Sequence, residues 1–124
     1  MNVGECYLIK TPPNGKHCFV VSLKIYEDQF LLLPISTQRE NSESCCVIEP
    51  DEIDFPFVNH TSIIAYSHAK EFTHYALQDA TQRGYCTSLG SLKPELLDRI
   101  LQSALHSKRL KNRWKELIRK QIGS

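Results

Sequence analysis

From Gly4 to Lys10 the chain reads GECYLIK, a short apolar run, and TPPNG follows it with two prolines and an Asn-Gly pair, the strongest short turn signal. A strand and a tight loop are expected there. HCFVVSLKI, residues 17–25, is rich in β-branched and aromatic residues; YEDQ interrupts, and FLLLPIST, residues 30–37, runs apolar again. The pattern predicts two more strands joined by a hairpin loop. Pro34 has no N–H to give to a ladder, so it is expected at a bulge or an edge. Polar RENSES precedes a short fourth strand, CCVIE, and PDEIDFPFVNHTS predicts a long irregular connection. SIIAYSHAKEF, Ser62 to Phe72, opens with β-branched residues and predicts a fifth strand. THYALQDATQRG follows, a short helix with Thr73 in the N-cap position and Gly84 at its close.

After Ser91 the period changes. Leu92, Leu96, Leu97, Ile100, Leu101, Ala104 and Leu105 recur at spacings of three and four, and Leu110, Trp114, Leu117 and Ile118 renew the stripe after a basic break. One long helix or two successive ones are expected. The sum is a mainly β protein, a small barrel or strongly twisted sheet of about five strands with C-terminal helices appended. In domain terms, residues 1–90 form the barrel with its short helix, and residues 91–124 form a basic amphipathic extension packed on the same domain.

A chain of 124 residues with 41% hydrophobic residues suits one core. No stretch approaches the roughly 20 apolar residues of a membrane helix, and the N-terminus has no basic lead before an apolar run. Neither a membrane span nor a signal peptide is expected, and the reading is cytoplasmic. The five cysteines are odd in number and form no Cys-x-x-Cys pair, so free thiols are expected. Glu49, Asp51, Glu52 and Asp54 cluster in sequence but without spacing that makes oxygens converge on a hard cation, which favours a solvated loop.

The net charge of +1 hides an asymmetry. Residues 1–91 hold 6 Lys/Arg against 11 Asp/Glu, a net of −5, whereas residues 92–124 hold 9 against 3, a net of +6. Lys108, Arg109, Lys111 and Arg113 lie in this tail with Trp114 among them. A helix of this composition suits a phosphate backbone, with the indole for base stacking. A membrane surface is the competing polyanion, and a solvated face over a packed Trp114 is the plain structural reading.

Four fragments, in order, resemble the PemK/MazF-like toxins, small SH3-like barrels that cleave RNA without a metal. GECYLIKTPP has the shape of that family's first strand, GKHCFVVS that of its second, LLLPISTQ that of its third, and SIIAYSHAKEF that of a later strand with Lys70 in the basic place. The resemblance covers roughly residues 4 to 80. It implies an SH3-like barrel, endoribonuclease activity without a cofactor, a homodimer, and an antitoxin partner that masks the site. The chain departs from the family where an arginine followed by proline is replaced by Lys16 and His17, and where a common threonine falls on Ser36.

The residues themselves suit this chemistry. Metal-free RNA cleavage needs a base for the 2′-hydroxyl proton, an acid for the departing 5′-oxygen, and donors or cations to hold charge on the phosphate. Lys16 and Arg39 are candidates for holding phosphate, Ser36 and Thr37 for donating to its oxygens, and His17 for moving a proton. Lys in place of Arg keeps the attraction but loses the planar fork, so weakened activity is expected. His60 and His68 read as ordinary core or surface histidines. A reading of another class is a non-catalytic SH3-like binding or regulatory module that holds protein or nucleic acid with the basic helices.

Overall fold

The computed structural model describes residues 1–11, 15–55 and 58–123. The Asn-Gly turn expected after the first strand involves Asn14, and this residue lies outside the described ones. The described residues form seven strands and three helices: β1 Glu5–Thr11, β2 Gly15–Tyr26, β3 Gln29–Thr37, β4 Val47–Ile48, β5 Ser62–Ile64, β6 Lys70–Thr73, α1 His74–Gln82, β7 Cys86–Ser91, α2 Pro94–Ala104 and α3 Asn112–Gly123. All the strand pairs are antiparallel, in the order β4-β5-β3-β2-β1-β7, and β6 also pairs with β3.

The organising element is the long β2–β3 pair. β6 covers the first half of β3, Gln29 to Leu32, and β5 covers its end, Ile35 to Thr37. The single fifth strand expected over residues 62–72 is therefore two strands, separated by a 3-10 turn at Tyr66–His68. Pro34 lies opposite this break. It is in a central strand rather than at an edge or a bulge, which corrects the expectation. Its carbonyl accepts from Ala65 N–H at 3.0 Å. A strand residue's N–H and C=O face the same neighbour, so the missing donor points into the gap where no ladder bond is needed.

β7 was not foreseen. CTSLGS is polar, and only Cys86 in it is buried, because it is an edge strand defined by its pairing with β1. Register slips between Cys6 and Tyr7, leaving Leu89 opposite no residue of β1. Gly90, at φ +107°, takes the left-handed backbone that this bulge requires. In β2 a second bulge places Ser22 outside the ladder; its hydroxyl donates to the Leu31 carbonyl at 2.9 Å and its carbonyl accepts from Gln121 of α3 at 2.9 Å.

The two faces of the sheet build two apolar clusters. One joins Cys18, Val20, Leu31, Leu33 and Ile35 to Leu96, Ile100, Trp114 and Ile118 of the C-terminal helices. The other joins Ile9, Phe19, Val21, Phe30 and Leu32 to Leu77 of α1 and to Cys86. The stripe after Ser91 forms two helices because the chain turns at residues 105–111. There the buried Ser107 donates to Glu43 Oε2 at 2.6 Å and accepts from Arg109 N–H and Leu110 N–H. Glu43 also accepts from Tyr66 N–H at 3.2 Å, and Tyr66 O–H donates to the Ile100 carbonyl at 2.7 Å. Burial holds that phenol well above its ordinary titration, so it stays a donor. The acidic segment is structural too: Glu52 and Arg99 pair at 2.6 Å, which holds the Glu52 carboxyl below the usual range and ties α2 to the Pro50–Glu52 turn.

α1 starts and stops as its sequence predicts. Thr73 Oγ1 accepts from Ala76 N–H at 2.9 Å. At the other end Tyr85 N–H donates to Ala80 and Gly84 N–H to Thr81, a Schellman closure around Gly84 at φ +78°. Thr73→Ala is expected to lower the unfolding free energy by about 1 kcal/mol, read as a shifted denaturant midpoint with an unchanged slope.

Candidate functional site

Strand alternation sorts the candidates at the end of β2 and β3. Neighbours in a strand point to opposite faces, and cross-strand partners share one. Phe19 pairs with Pro34 and belongs to the α1-side cluster, so His17, two residues before Phe19, and Ser36, two after Pro34, stand on that side. Lys70 pairs with Leu32 of the same cluster and joins them from β6. A cleft of about 270 Å³ opens between these residues, lined by Thr11, His17, Phe19, Pro34, Ser36, His68 and Lys70. Its apolar floor is set by Phe19, which meets Phe72 edge-on at 6.2 Å between ring centroids.

His17 is held by what surrounds it. Its Nδ1 bonds Thr11 Oγ1 at 2.5 Å across the β1–β2 pair. Its imidazole lies over Gly15 so closely that a Cβ there would meet His17 Cε1 at 3.1 Å and Thr11 Oγ1 at 3.3 Å. A side chain at residue 15 therefore requires the imidazole to shift by a few tenths of an ångström. On the other side of the cleft the Tyr66–His68 turn presents His68, whose Nδ1 bonds Ser67 Oγ at 3.1 Å.

A second cleft of about 470 Å³ shares Ser36 and His68 with the first and adds Thr37, Arg39, Glu40, Glu43 and Arg109 among its lining. A third, of about 240 Å³, shares Ser67 and Arg109 with the second and continues to Glu71, Lys111 and Trp114. The three adjoin one another through these shared residues, from His17 to the start of α3, with Lys70, Arg39, Arg109 and Lys111 as well as Glu40, Glu43 and Glu71 along them.

The groove thus gathers His17, Ser36, Thr37, Arg39, Lys70, Arg109 and Lys111. Lys16 does not line it. Next to His17 in a strand, it faces the other way, opposite Lys10 of β1. Lys108 and Arg113 are exposed and outside the three clefts. Trp114, expected to stack on a base, is 4% exposed and packs in the core, with the Arg113 guanidinium 4.1 Å from its ring centroid. The indole packs in the apolar cluster with Ile100, Leu110 and Ile118. Sequence reading missed Thr11, Gly15 and His68. The first two follow once β1 and β2 are paired in register; no local signal marks His68.

All five cysteines are free thiols. Burial pushes the Cys46 and Cys86 thiols up, and the contact with Cys18 together with burial does the same to Cys6, so these groups stay protonated in the core. Among the described residues no three His, Cys, Asp or Glu side chains gather as a metal-binding group, and no helix is long and apolar enough to cross a membrane.

An antiparallel sheet built on one long strand pair, with helices at its C-terminal end, is a PemK/MazF-like fold. Two solved structures give the comparison. One is an endoribonuclease in complex with its cognate antitoxin from Mycobacterial species, similar over 86% of this chain and 92% of its own, with a TM-score of 0.57 and 10% identity. The other is the MazE–MazF complex (Form-III) from Deinococcus radiodurans, similar over 90% of this chain and 98% of the matched one, with a TM-score of 0.56 and 10% identity. No family model and no curated protein matches the sequence. At this identity the likeness is one of fold.

Proposed function

We propose that this protein is a metal-independent RNA endonuclease of the toxin–antitoxin type, acting in the cleft of His17, Ser36 and Lys70. The observation that carries the reading is their convergence, from three strands, on one pocket of a MazF-like fold. The Lys70 ammonium and the Ser36 hydroxyl hold the scissile phosphate and receive its growing charge, and His17 moves a proton. Thr37, Arg39, Arg109 and Lys111 continue the groove and give neighbouring phosphates a track. A lysine cannot grip two phosphate oxygens as a guanidinium does, so the activity is slow relative to an arginine-bearing site.

The protein partner in this reading is an antitoxin that fills the same groove. One of the similar structures is an endoribonuclease with its cognate antitoxin and the other a MazE–MazF complex, which supports the assignment. The homodimer and the cytoplasmic setting belong to the same proposal. Incubation of the purified chain with single-stranded RNA in excess EDTA tests it. Cleavage is expected, with a 2′,3′-cyclic phosphate and a 5′-hydroxyl at the new ends, while the same oligonucleotide with a 2′-deoxy residue at the cut position stays intact. RNA that is bound but uncut would leave only the binding-module reading, and cutting of the deoxy substrate would exclude 2′-hydroxyl attack.

A further inference from the structure

We infer that His68 is a second catalytic histidine and forms an acid–base pair with His17 across the phosphodiester; this rests on the RNA-cleaving reading above. Two imidazoles face one cleft of about 270 Å³ from different elements, with Ser36 and Lys70 in its lining. Both are exposed, so neither serves the core. Each ring is anchored in the same way, by a hydroxyl on Nδ1: Thr11 Oγ1 at 2.5 Å for His17 and Ser67 Oγ at 3.1 Å for His68. Neither Nε2 has a hydrogen-bond partner among the described residues, which leaves one nitrogen of each ring for the substrate. A hydroxyl can donate to Nδ1 or accept from it, so each bond holds its ring in place in either tautomer and leaves Nε2 free to give or take a proton.

The fold sets His68 in the break between two ladders. Where Pro34 cannot donate, β5 gives way to the Tyr66–His68 turn before β6 begins, and Glu43 and the Ile100 carbonyl hold that turn through Tyr66. The charged groups around the pair come from every side. Lys70 lines the same cleft from β6, Arg39, Glu40, Glu43 and Arg109 line the adjoining cleft beside His68, and Lys16 on β2 and its partner Lys10 on β1 lie on the opposite face.

The step balances without a co-reactant. A neutral imidazole takes the 2′-hydroxyl proton as O2′ bonds to phosphorus. The P–O5′ bond breaks, and the imidazolium of the other ring gives its proton to O5′. A 2′,3′-cyclic phosphate and a 5′-alcohol leave, the two histidines have exchanged protonation states, and water resets them.

The test is the pH dependence of kcat/KM on a single-stranded RNA oligonucleotide between about pH 5 and 9, where imidazoles titrate. The intact protein is expected to give a bell. His17→Ala and His68→Ala are each expected to fall by about 10²- to 10⁴-fold and to lose opposite limbs of it. RNA with sulfur in place of the bridging 5′-oxygen has a leaving group that needs no acid, so it is expected to restore one of the two variants and not the other. His68→Asn, which keeps a polar group beside Ser67, is expected to behave as His68→Ala and guards against a folding artefact. A bell retained in both His68 variants, a rate within about tenfold of the intact protein, or the same limb lost at both histidines would overturn the pair. An intact protein that cuts no RNA at any pH would overturn the underlying reading instead.

Discussion

Lys70→Ala is expected to lower kcat/KM for RNA by about 10²- to 10³-fold, the usual effect of removing one preorganised donor from a developing anion, while Lys16→Ala is expected to cost less than about tenfold. The two lysines are separated by geometry alone. Lys70 enters the cleft with His17 and Ser36 because its partner across the ladder, Leu32, lies on the α1-side face. Lys16 precedes His17 by one residue, and the two-residue period of a strand sends it to the opposite face. Long-range attraction is what Lys16 keeps, so its loss is expected to appear mainly at low salt. Side-by-side kinetics of the two variants at about 0.15 M salt check this. Equal losses, or a larger loss at Lys16, would move the phosphate site to the other side of β2. Lys70→Arg is a useful companion, since a guanidinium that reaches the same oxygens would raise the rate.

Trp114→Ala is expected to destabilise the fold by about 3–5 kcal/mol, the range for truncating a buried aromatic, and to lower the melting temperature by on the order of 10 °C. The indole is 4% exposed and shares its cluster with Ile100, Leu110 and Ile118, so truncation leaves a cavity between α3 and the sheet. Trp114→Phe fills part of that volume and is expected to lose less. Arg113→Ala removes only the exposed guanidinium over the ring, an effect below about 1 kcal/mol. Were the indole a stacking platform instead, Trp114→Ala would weaken RNA binding at unchanged stability. Thermal unfolding beside binding distinguishes the two outcomes.

The parts of the fold legible in the sequence are those governed by contacts within a few residues. The first three strands follow from apolar runs and the loops between them, α1 from Thr73 and Gly84, and the helical stripe from spacings of three and four. β7 was not legible, because CTSLGS has neither an apolar run nor alternation; it is a strand only because β1, about 80 residues earlier, offers it an edge. The split of β5 from β6 was hidden for a related reason. An apolar run records burial, and Tyr66 is as buried in its turn as Ile64 is in its strand.

The candidate site divides along the same line. By itself the sequence determined which chemistries are present: imidazole, hydroxyl and cationic groups at the ends of the β2–β3 pair, and a basic tail behind an acidic front. It also carried the order of strand fragments from which a MazF-like fold is expected, and the fold is similar to two solved structures at 10% identity. Only the tertiary structure decided which of those groups meet. Sheet register set His17 and Ser36 on one face and Lys16 on the other, the break opposite Pro34 put His68 across from them, and the packing of α3 withdrew Trp114 into the core. A local pattern encodes what a residue is and how its neighbours alternate; a cleft is made by strands and turns tens of residues apart, and their meeting is fixed by the burial of the two apolar faces between them.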